Sequence, residues 1–309
     1  MDCHTKAKTR SDILKPKQIL DSSTLQTLNT RSNSRGLIRL LGHMAIVISS
    51  GYLWLTVDNW GIKLLALIIY GFSLAAMFAL VHESCHRTAF ANNRLNDLVA
   101  WFAGVLSGYN STFYRRYHKW HHRYTRIVGK DPELEDIQPS NLIEYIAEIS
   151  GYNWWLGKLM THYRVATGDL DNMPYIDQNA HNKVIKSTRL QLAVYGMAIA
   201  ISFVFWQPWF ITLWLLPLAV GQPILRFILL AEHTGCTKDN NPLTNTRTTL
   251  TWFPLRIIMW NMPFHAEHHL YPSIPFHALP KAHQELKEHF AVIDRGYLKV
   301  NQNIVSNFL

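Results

Sequence analysis

Charge-free apolar runs constrain this chain more than any other feature. Residues 64–81 are 18 consecutive positions without Lys, Arg, Asp or Glu, rich in Leu, Ile, Ala and Phe. That meets the roughly 18–20 residues a helix needs to cross a hydrocarbon core about 30 Å thick. Residues 190–225 form a second run of 36 uncharged positions, which continues after Arg226 through residues 227–231. At a rise of about 1.5 Å per residue it is too long for one crossing and suits two. Pro208, within Trp206-Gln207-Pro208-Trp209, marks the turn, with tryptophans at the depth of the membrane interface. A weaker run, 44–57, reaches full length only by including 36–43, where Arg39 can snorkel.

The sequence therefore predicts an all-α integral membrane protein with four transmembrane helices in two hairpins. The hairpins are 37–57 with 62–81 and 189–206 with 209–231, closed on the far side by residues 58–61 and the Gln207-Pro208 turn. Of 30 Lys and Arg residues, 28 lie in 1–39, 82–189 and 232–309, all on one side of that arrangement. By the positive-inside rule that side is cytoplasmic and holds both termini. Residues 1–35 are polar and basic without an apolar signal core and are expected to be a flexible cytoplasmic arm. Residues 36–290 are expected to form the membrane domain with its cytoplasmic helical cap, and 291–309 a tail. Charged residues make up 17% of the chain, against about 25% in soluble domains. Mean hydropathy is −0.03, which leaves room for a sizeable polar portion beside the spans. The formal net charge of +9 follows from the positive-inside bias, so nucleic acid is not an expected partner. Cys3, Cys85 and Cys236 are too widely separated for a disulfide framework or a thiolate-built metal site.

Histidine is the outlier, with 16 residues in 309. They gather in His82-Glu83-Ser84-Cys85-His86, His118-Lys119-Trp120-His121-His122, Glu232-His233-Thr234-Gly235 and His265-Ala266-Glu267-His268-His269, with a looser set of His277, His283 and His289. At this histidine content an H-x-x-H-H triplet is expected only about 0.04 times in such a chain, and two are present. Residues i, i+3 and i+4 lie on one helical face, so each triplet is expected to point at one place. His82, His86, His118, His121, His122, His233, His265, His268 and His269 all fall on the cytoplasmic side. Nine imidazoles gathered there repel one another if protonated and are costly to bury if unpaired. A metal resolves both problems, and nine nitrogens exceed the needs of one ion, so two are implied. Glu83, Glu232, Glu267, Asp131 and Asn261 are close enough in sequence to accept from the far ring nitrogens. His43, His162, His181, His277, His283 and His289 read as ordinary packing or surface residues.

The set His82-x-x-x-His86, His118-x-x-His121-His122 and His265-x-x-His268-His269 resembles the three histidine boxes of membrane fatty acid desaturases. Asn261-Met262-Pro263-Phe264-His265-Ala266-Glu267-His268-His269-Leu270-Tyr271-Pro272 looks like the third box of bacterial members, and Asp131-Pro132-Glu133 is also similar to the family. Glu232-His233-Thr234-Gly235 is similar to the Glu-His-Tyr-Gly element of membrane alkane hydroxylases, where that histidine is a ninth ligand. The resemblance implies four membrane helices under a cytoplasmic cap, nine histidine ligands as named above, two iron ions, and O2 as co-substrate. It implies a fatty acyl substrate and a bacterial cytoplasmic membrane. Animal acyl-CoA members have four residues between the histidines of the first box, where this chain has three, so an acyl-CoA substrate is not carried over. Electrons are expected from a separate ferredoxin-like or other electron-transfer protein, which the basic cytoplasmic face suits.

The expected activity is O2-dependent desaturation of a fatty acyl chain. A hydroxylase or monooxygenase of a lipid-like or alkyl substrate is the alternative on the same scaffold. A transporter needs polar groups at mid-bilayer depth, and a zinc hydrolase needs about three protein ligands rather than nine. His121→Ala is expected to abolish activity and lower bound metal while the protein still inserts in membrane. His283→Ala is expected to leave activity largely intact; both are checked by activity and metal content of purified variants.

Overall fold

The computed structural model describes residues 19–135 and 138–308. Helix α1 is Ser22–Leu28, capped by the Asp21 carboxylate, which accepts from the backbone N–H groups of Ser23 and Thr24. Helix α2, Asn33–Thr56, starts on a Ser32 cap, and α3, Trp60–Cys85, on an Asn59 cap. Then come α4 (Asn93–Ser107), α5 (Ser111–Tyr124), α6 (Pro132–Glu135), α7 (Leu142–Ile149), α8 (Tyr152–Thr167) and α9 (Gln178–Val204). A widened helical turn, Ile211–Leu215, leads into α10 (Leu216–Leu229). Strand β1 is Thr248–Leu250, followed by α11 (Phe253–Ile258), α12 (His265–Leu270), α13 (Leu279–Leu286), strand β2 (Ile293–Arg295) and α14 (Tyr297–Ser306).

Among the described residues, four helical segments are long and apolar enough to cross a membrane: Asn33–Thr56, Trp60–Cys85, Gln178–Val204 and Ile211–Leu229. They coincide with the four expected spans: α2, α3 and α9 begin before their charge-free runs, while Ile211–Leu229 is shorter than the expected 209–231. In α2 and α3 a Ser32 or Asn59 cap starts the helix before its apolar stretch begins. Between α9 and α10 the chain reverses at Phe205–Phe210, with Trp206 in the left-handed region (φ 54°) just before Pro208.

Helix α3 is the centre of the bundle and packs on α2, α4 and α10. It is buried almost continuously from Ser73 to Cys85. By contrast, the apolar surface of α9 is left largely uncovered by protein, as lipid-facing surface should be. The α3–α10 crossing depends on two glycines. A Cβ at Gly221 would overlap the Gly71 carbonyl oxygen, and one at Gly71 would overlap the Pro217 carbonyl oxygen. Small residues let two membrane helices approach backbone to backbone. Trp54 Nε1 donates to the Thr212 carbonyl at 2.9 Å and Tyr70 Oη to that of Leu213 at 2.7 Å, which sets the level of α10 against α2 and α3. The opposite ends of α3 and α10 are thereby brought together, and these carry His82-x-x-x-His86 and Glu232-His233.

Two expectations are corrected. The chain is not purely α-helical: β1 and β2 pair in parallel, with Thr248 opposite Ile293 and Leu250 opposite Arg295. The outer segments are also not arm and tail at the expected boundaries. Residues 1–18 lie outside the described residues, but α1 packs on α13 with Leu28 buried beside Leu279 and Leu286. Past residue 291, α14 buries Tyr297, Val300, Asn301 and Ile304. Asn301 Oδ1 accepts from Tyr145 Oη at 3.0 Å, and its Nδ2 donates to the Phe227 carbonyl at 3.0 Å. Apolar positions Leu28, Val300 and Ile304 drive both segments onto the body, although each lies in a polar stretch of sequence.

Replacing Gly221 by Leu forces the α3–α10 crossing apart, at a cost of about 3 kcal/mol or more. The expected outcome is a lower unfolding midpoint in detergent and poorer recovery of folded protein, whereas Gly157→Ala, on open space, should leave both unchanged.

Candidate metal centre

Every histidine of the expected set converges on one region. His82 and His86 sit at the end of α3, His118, His121 and His122 on α5, His265, His268 and His269 on α12, and His233 just past α10. They form two groups. His82, His86, His118, His122 and His268 offer nitrogens all within 4.8 Å of one another. In this group His122 Nε2 lies 3.0 Å from His118 Nε2 and 3.0 Å from His268 Nε2. The second group is a chain of close approaches. His121 Nε2 lies 3.3 Å from His269 Nε2, His269 3.1 Å from His265, and His265 3.2 Å from His233.

The triplets therefore do not each point at one place, as expected from spacing alone. Each splits. On a helix turning about 100° per residue, i and i+4 lie only about 40° apart, while i+3 falls on the other side of i. His118 and His122 join the first group and His121 the second; His265 and His269 join the second and His268 the first.

In His121, His233 and His269 outer hydrogen bonds decide which ring nitrogen is bare. His121 Nδ1 donates to Asp131 Oδ1 at 2.9 Å. His233 Nδ1 donates to the Asn245 carbonyl at 3.1 Å. Thr125 Oγ1 spends its hydrogen on the His121 carbonyl at 2.8 Å, so His269 Nδ1 donates to Thr125 at 3.3 Å. All three rings then carry an Nε2 lone pair facing another nitrogen, an arrangement that repels unless a cation lies between. In the first group, His82 Nε2 and His86 Nε2 are buried without a hydrogen-bond partner. Buried polar atoms that converge in this way fit metal ions, and imidazole nitrogen suits iron, zinc and copper alike.

The electrostatics agree. Burial, followed by the charges of neighbouring histidines, holds His118, His122, His265, His268 and His269 well below the ordinary imidazole range. His233 is pushed down to about 3, chiefly by burial and then by His121. These rings are neutral and available as ligands. His121 is the exception. Burial pushes it down, but Glu133 and Asp131 outweigh this and raise it above its ordinary value. Glu232 is held well above the carboxylate range by burial and then by the charge of Glu133.

The expected supporting residues divide. Asp131 does what was expected: it accepts from His121, from the Arg126 backbone N–H at 2.7 Å and from the Glu133 N–H at 3.0 Å. Glu232 faces the second group, with Oε2 3.4 Å from His265 Nε2. Glu83, Asn261 and Glu267 hold elements in place instead. Glu83 Oε1 accepts from the Phe276 N–H at 2.8 Å, and Asn261 Nδ2 donates to the Phe276 carbonyl at 2.9 Å. Glu267 is fully buried and joins α12 to β1 and α13, accepting from Thr248 Oγ1 at 2.5 Å and facing His283 Nδ1 at 2.5 Å. His277 pairs with Arg35 and His43 with Ser73 and Trp260, all outside the cluster. Sequence reasoning missed Thr125 and Asn245. Thr125 carried a weak signal, four residues after His121; Asn245 acts through its backbone carbonyl and carried none.

On the membrane side Phe78, one turn before His82, packs on Tyr109 and Tyr114 with ring centroids 4.4 and 5.3 Å away. The Tyr114 ring stacks on His118 at 5.0 Å. Tyr109 and Phe113 line a small pocket with Tyr114, beside Lys158 and His162.

Fold and site define a helical membrane protein with a buried histidine cluster able to hold metal. A fatty acid desaturase family model matches residues 58–301, and the chain belongs to that family. It is 24% identical over 263 residues to the Delta(5) fatty acid desaturase fat-4 of Caenorhabditis elegans, covering 75% of this chain and 58% of that protein. It is 24% identical over 264 residues to the sn-1 oleoyl-lipid 12-desaturase of Anabaena variabilis, covering 82% and 64%. An alkane 1-monooxygenase of Acinetobacter baylyi is 22% identical over 223 residues, covering 69% and 51%. The chain thus spans about three fifths of the length of the first two relatives.

Removing the Asp131 carboxylate frees the His121 ring to turn. Asp131→Ala is expected to weaken metal binding at the second group by about 10–100-fold. Metal titration of the purified protein checks this; unchanged affinity would show that Asp131 does not orient the ring.

Proposed function

We propose that the chain is a membrane oxidoreductase that desaturates a fatty acyl chain with O2 at a histidine-bound pair of irons. The observation that carries the proposal is the division of the nine imidazoles into two groups with converging bare nitrogens. His82, His86, His118, His122 and His268 would hold one ion; His121, His233, His265 and His269 would hold the other. Bound iron supplies O2 activation and the one-electron chemistry that removes hydrogen from an unactivated C–H bond. Family membership and the desaturase relatives support this chemistry over metal transport or hydrolysis.

The protein's own share is threefold. Outer partners Asp131, Thr125 and the Asn245 carbonyl keep the rings aimed inward. The Phe78, Tyr109 and Tyr114 wall excludes water on the side facing the bilayer. That wall is also the surface along which an acyl chain would reach the histidine cluster from the lipid, held in position for reaction. The spans are arranged as two hairpins with the cluster, both termini and the basic segments on the cytoplasmic side. Lys119, Arg123 and Lys130 are exposed around the outer side of α5, so an acidic electron-transfer protein is the fitting donor.

The second reading is hydroxylation, favoured by the likeness to an alkane 1-monooxygenase. The two outcomes part at one step: loss of a second, adjacent hydrogen gives the double bond, and return of oxygen to the carbon gives the alcohol.

Lipid mass spectrometry of cells expressing the chain, beside cells expressing His268→Ala, tests the proposal. The expected result is a species about 2 Da lighter than its parent acyl chain, absent in the variant. A species about 16 Da heavier moves the assignment to hydroxylation. Purified protein that binds zinc and no iron overturns both.

A further inference from the structure

Glu133 stands between the two histidine groups. Asp131 caps the short helix α6 by accepting from the Glu133 backbone N–H, and Pro132 fixes the first turn. This turn brings the Glu133 carboxylate back onto α5. Oε1 lies 3.4 Å from His118 Nδ1, and Oε2 lies 3.4 Å from His121 Nε2.

The two contacts are chemically unlike. His118 belongs to the first group through its Nε2, 3.0 Å from His122 Nε2, so its Nδ1 points outward and donates to Glu133. His121 has committed its Nδ1 hydrogen to Asp131. Its Nε2 therefore presents a lone pair toward the Glu133 oxygen and toward His269 Nε2. Glu133 with His118 and His121 is one of the sets whose possible ligand atoms all lie within 4.8 Å of one another, and His121 is also a member of the set with His233 and His269. Charge points the same way. Nine neutral imidazoles do nothing to offset two buried dications, which are costly without compensating anions. Glu133 is a carboxylate whose oxygen faces a ligating nitrogen of the second group directly.

We propose that Glu133 is an oxygen ligand of the second metal and, through its other oxygen, holds His118 of the first. The two positions are then different: five imidazoles at one, four imidazoles and a carboxylate at the other. The inference rests on the dimetal reading above. It makes the second position the harder of the two in donor character, and it ties the positions together through one side chain.

The test uses full-length protein in detergent, loaded with 57Fe(II) and read by iron count and Mössbauer spectroscopy, with His86→Ala and His233→Ala assigning the two signals. The expected wild-type result is two irons per chain with two distinct quadrupole doublets. Glu133→Gln, which keeps the shape and removes the charge, is expected to alter or deplete the doublet assigned by His233→Ala, with iron affinity there lowered about 10–100-fold. Glu133→Asp should recover part of it. Two irons and both doublets unchanged in Glu133→Gln would overturn the ligand role. A change confined to the doublet assigned by His86→Ala would also overturn it, reducing Glu133 to a holder of His118. Fewer than two irons in the wild type would instead sink the dimetal reading itself, and this inference with it.

Discussion

The facing of one imidazole lone pair against another is the interaction on which the rest of this structure depends. Neutral rings buried with their bare nitrogens facing one another, and no donor between them, are stabilised by a shared cation. The fold around them serves to make that sharing unavoidable. Asp131, Thr125 and the Asn245 carbonyl each take an Nδ1 hydrogen. With that hydrogen spent outward, the inner nitrogen of each ring has no other partner. The same logic fits the lowered basicity of the cluster's other rings beside the raised His121, since a ring that stayed protonated would be lost as a ligand.

Holding such a cluster requires rigid elements at fixed separation, and the membrane helices supply them. The Gly71–Gly221 crossing brings α3 and α10 to backbone contact, so His82 and His233, at the ends of these helices, sit at a set spacing. The buried polar residues Glu83 and Asn261 then clamp the Phe276 peptide from both sides. Glu267 joins α12 to β1 and α13 in the same manner. None of these three carboxylate or amide groups reaches a ligand's far nitrogen in the structure. Their work is to keep the third-box helix, only six residues long, where its histidines are useful.

Much of this was legible in the sequence. Spans can be read because hydrocarbon demands a stretch of apolar residues of known length, and Leu64–Val81 meets that demand without help from neighbours. The clustering of the nine histidines was legible because their spacing is one that chance rarely supplies. What spacing alone does not reveal is how a triplet divides between two centres. His121 and His122 are adjacent in sequence but about 100° apart on the helix, and only the position of α12 opposite α5 decides which centre each one joins. Long-range partners were equally hidden. Asn245 contributes a carbonyl, which every residue possesses, and Glu83 is identical in sequence terms whether it meets a histidine or the Phe276 backbone. The α1 and α14 segments were missed because a few apolar positions in a polar stretch give too weak a pattern to separate a docked helix from an arm.

On the proposed function, the position of the aromatic wall bears on how one scaffold could give either product. Phe78, Tyr109 and Tyr114 abut His82 and His118, which belong to the five-histidine group. The carboxylates Asp131, Glu133 and Glu232 touch rings of the other group, with Glu133 also reaching His118. On the proposed function, an acyl chain arriving along the wall would meet the all-nitrogen side first, while the charged side faces the polar cap. Whether a substrate carbon loses a second hydrogen or receives oxygen depends on how far it lies from each side, a matter of small displacements within this wall. Histidine ligands leave that choice open, because they are the same for both outcomes. On the proposed function the residues that decide it would be those which set the depth of the chain: Phe78 on α3, Tyr114 on α5 and Tyr109 between α4 and α5, on the membrane side of the boxes.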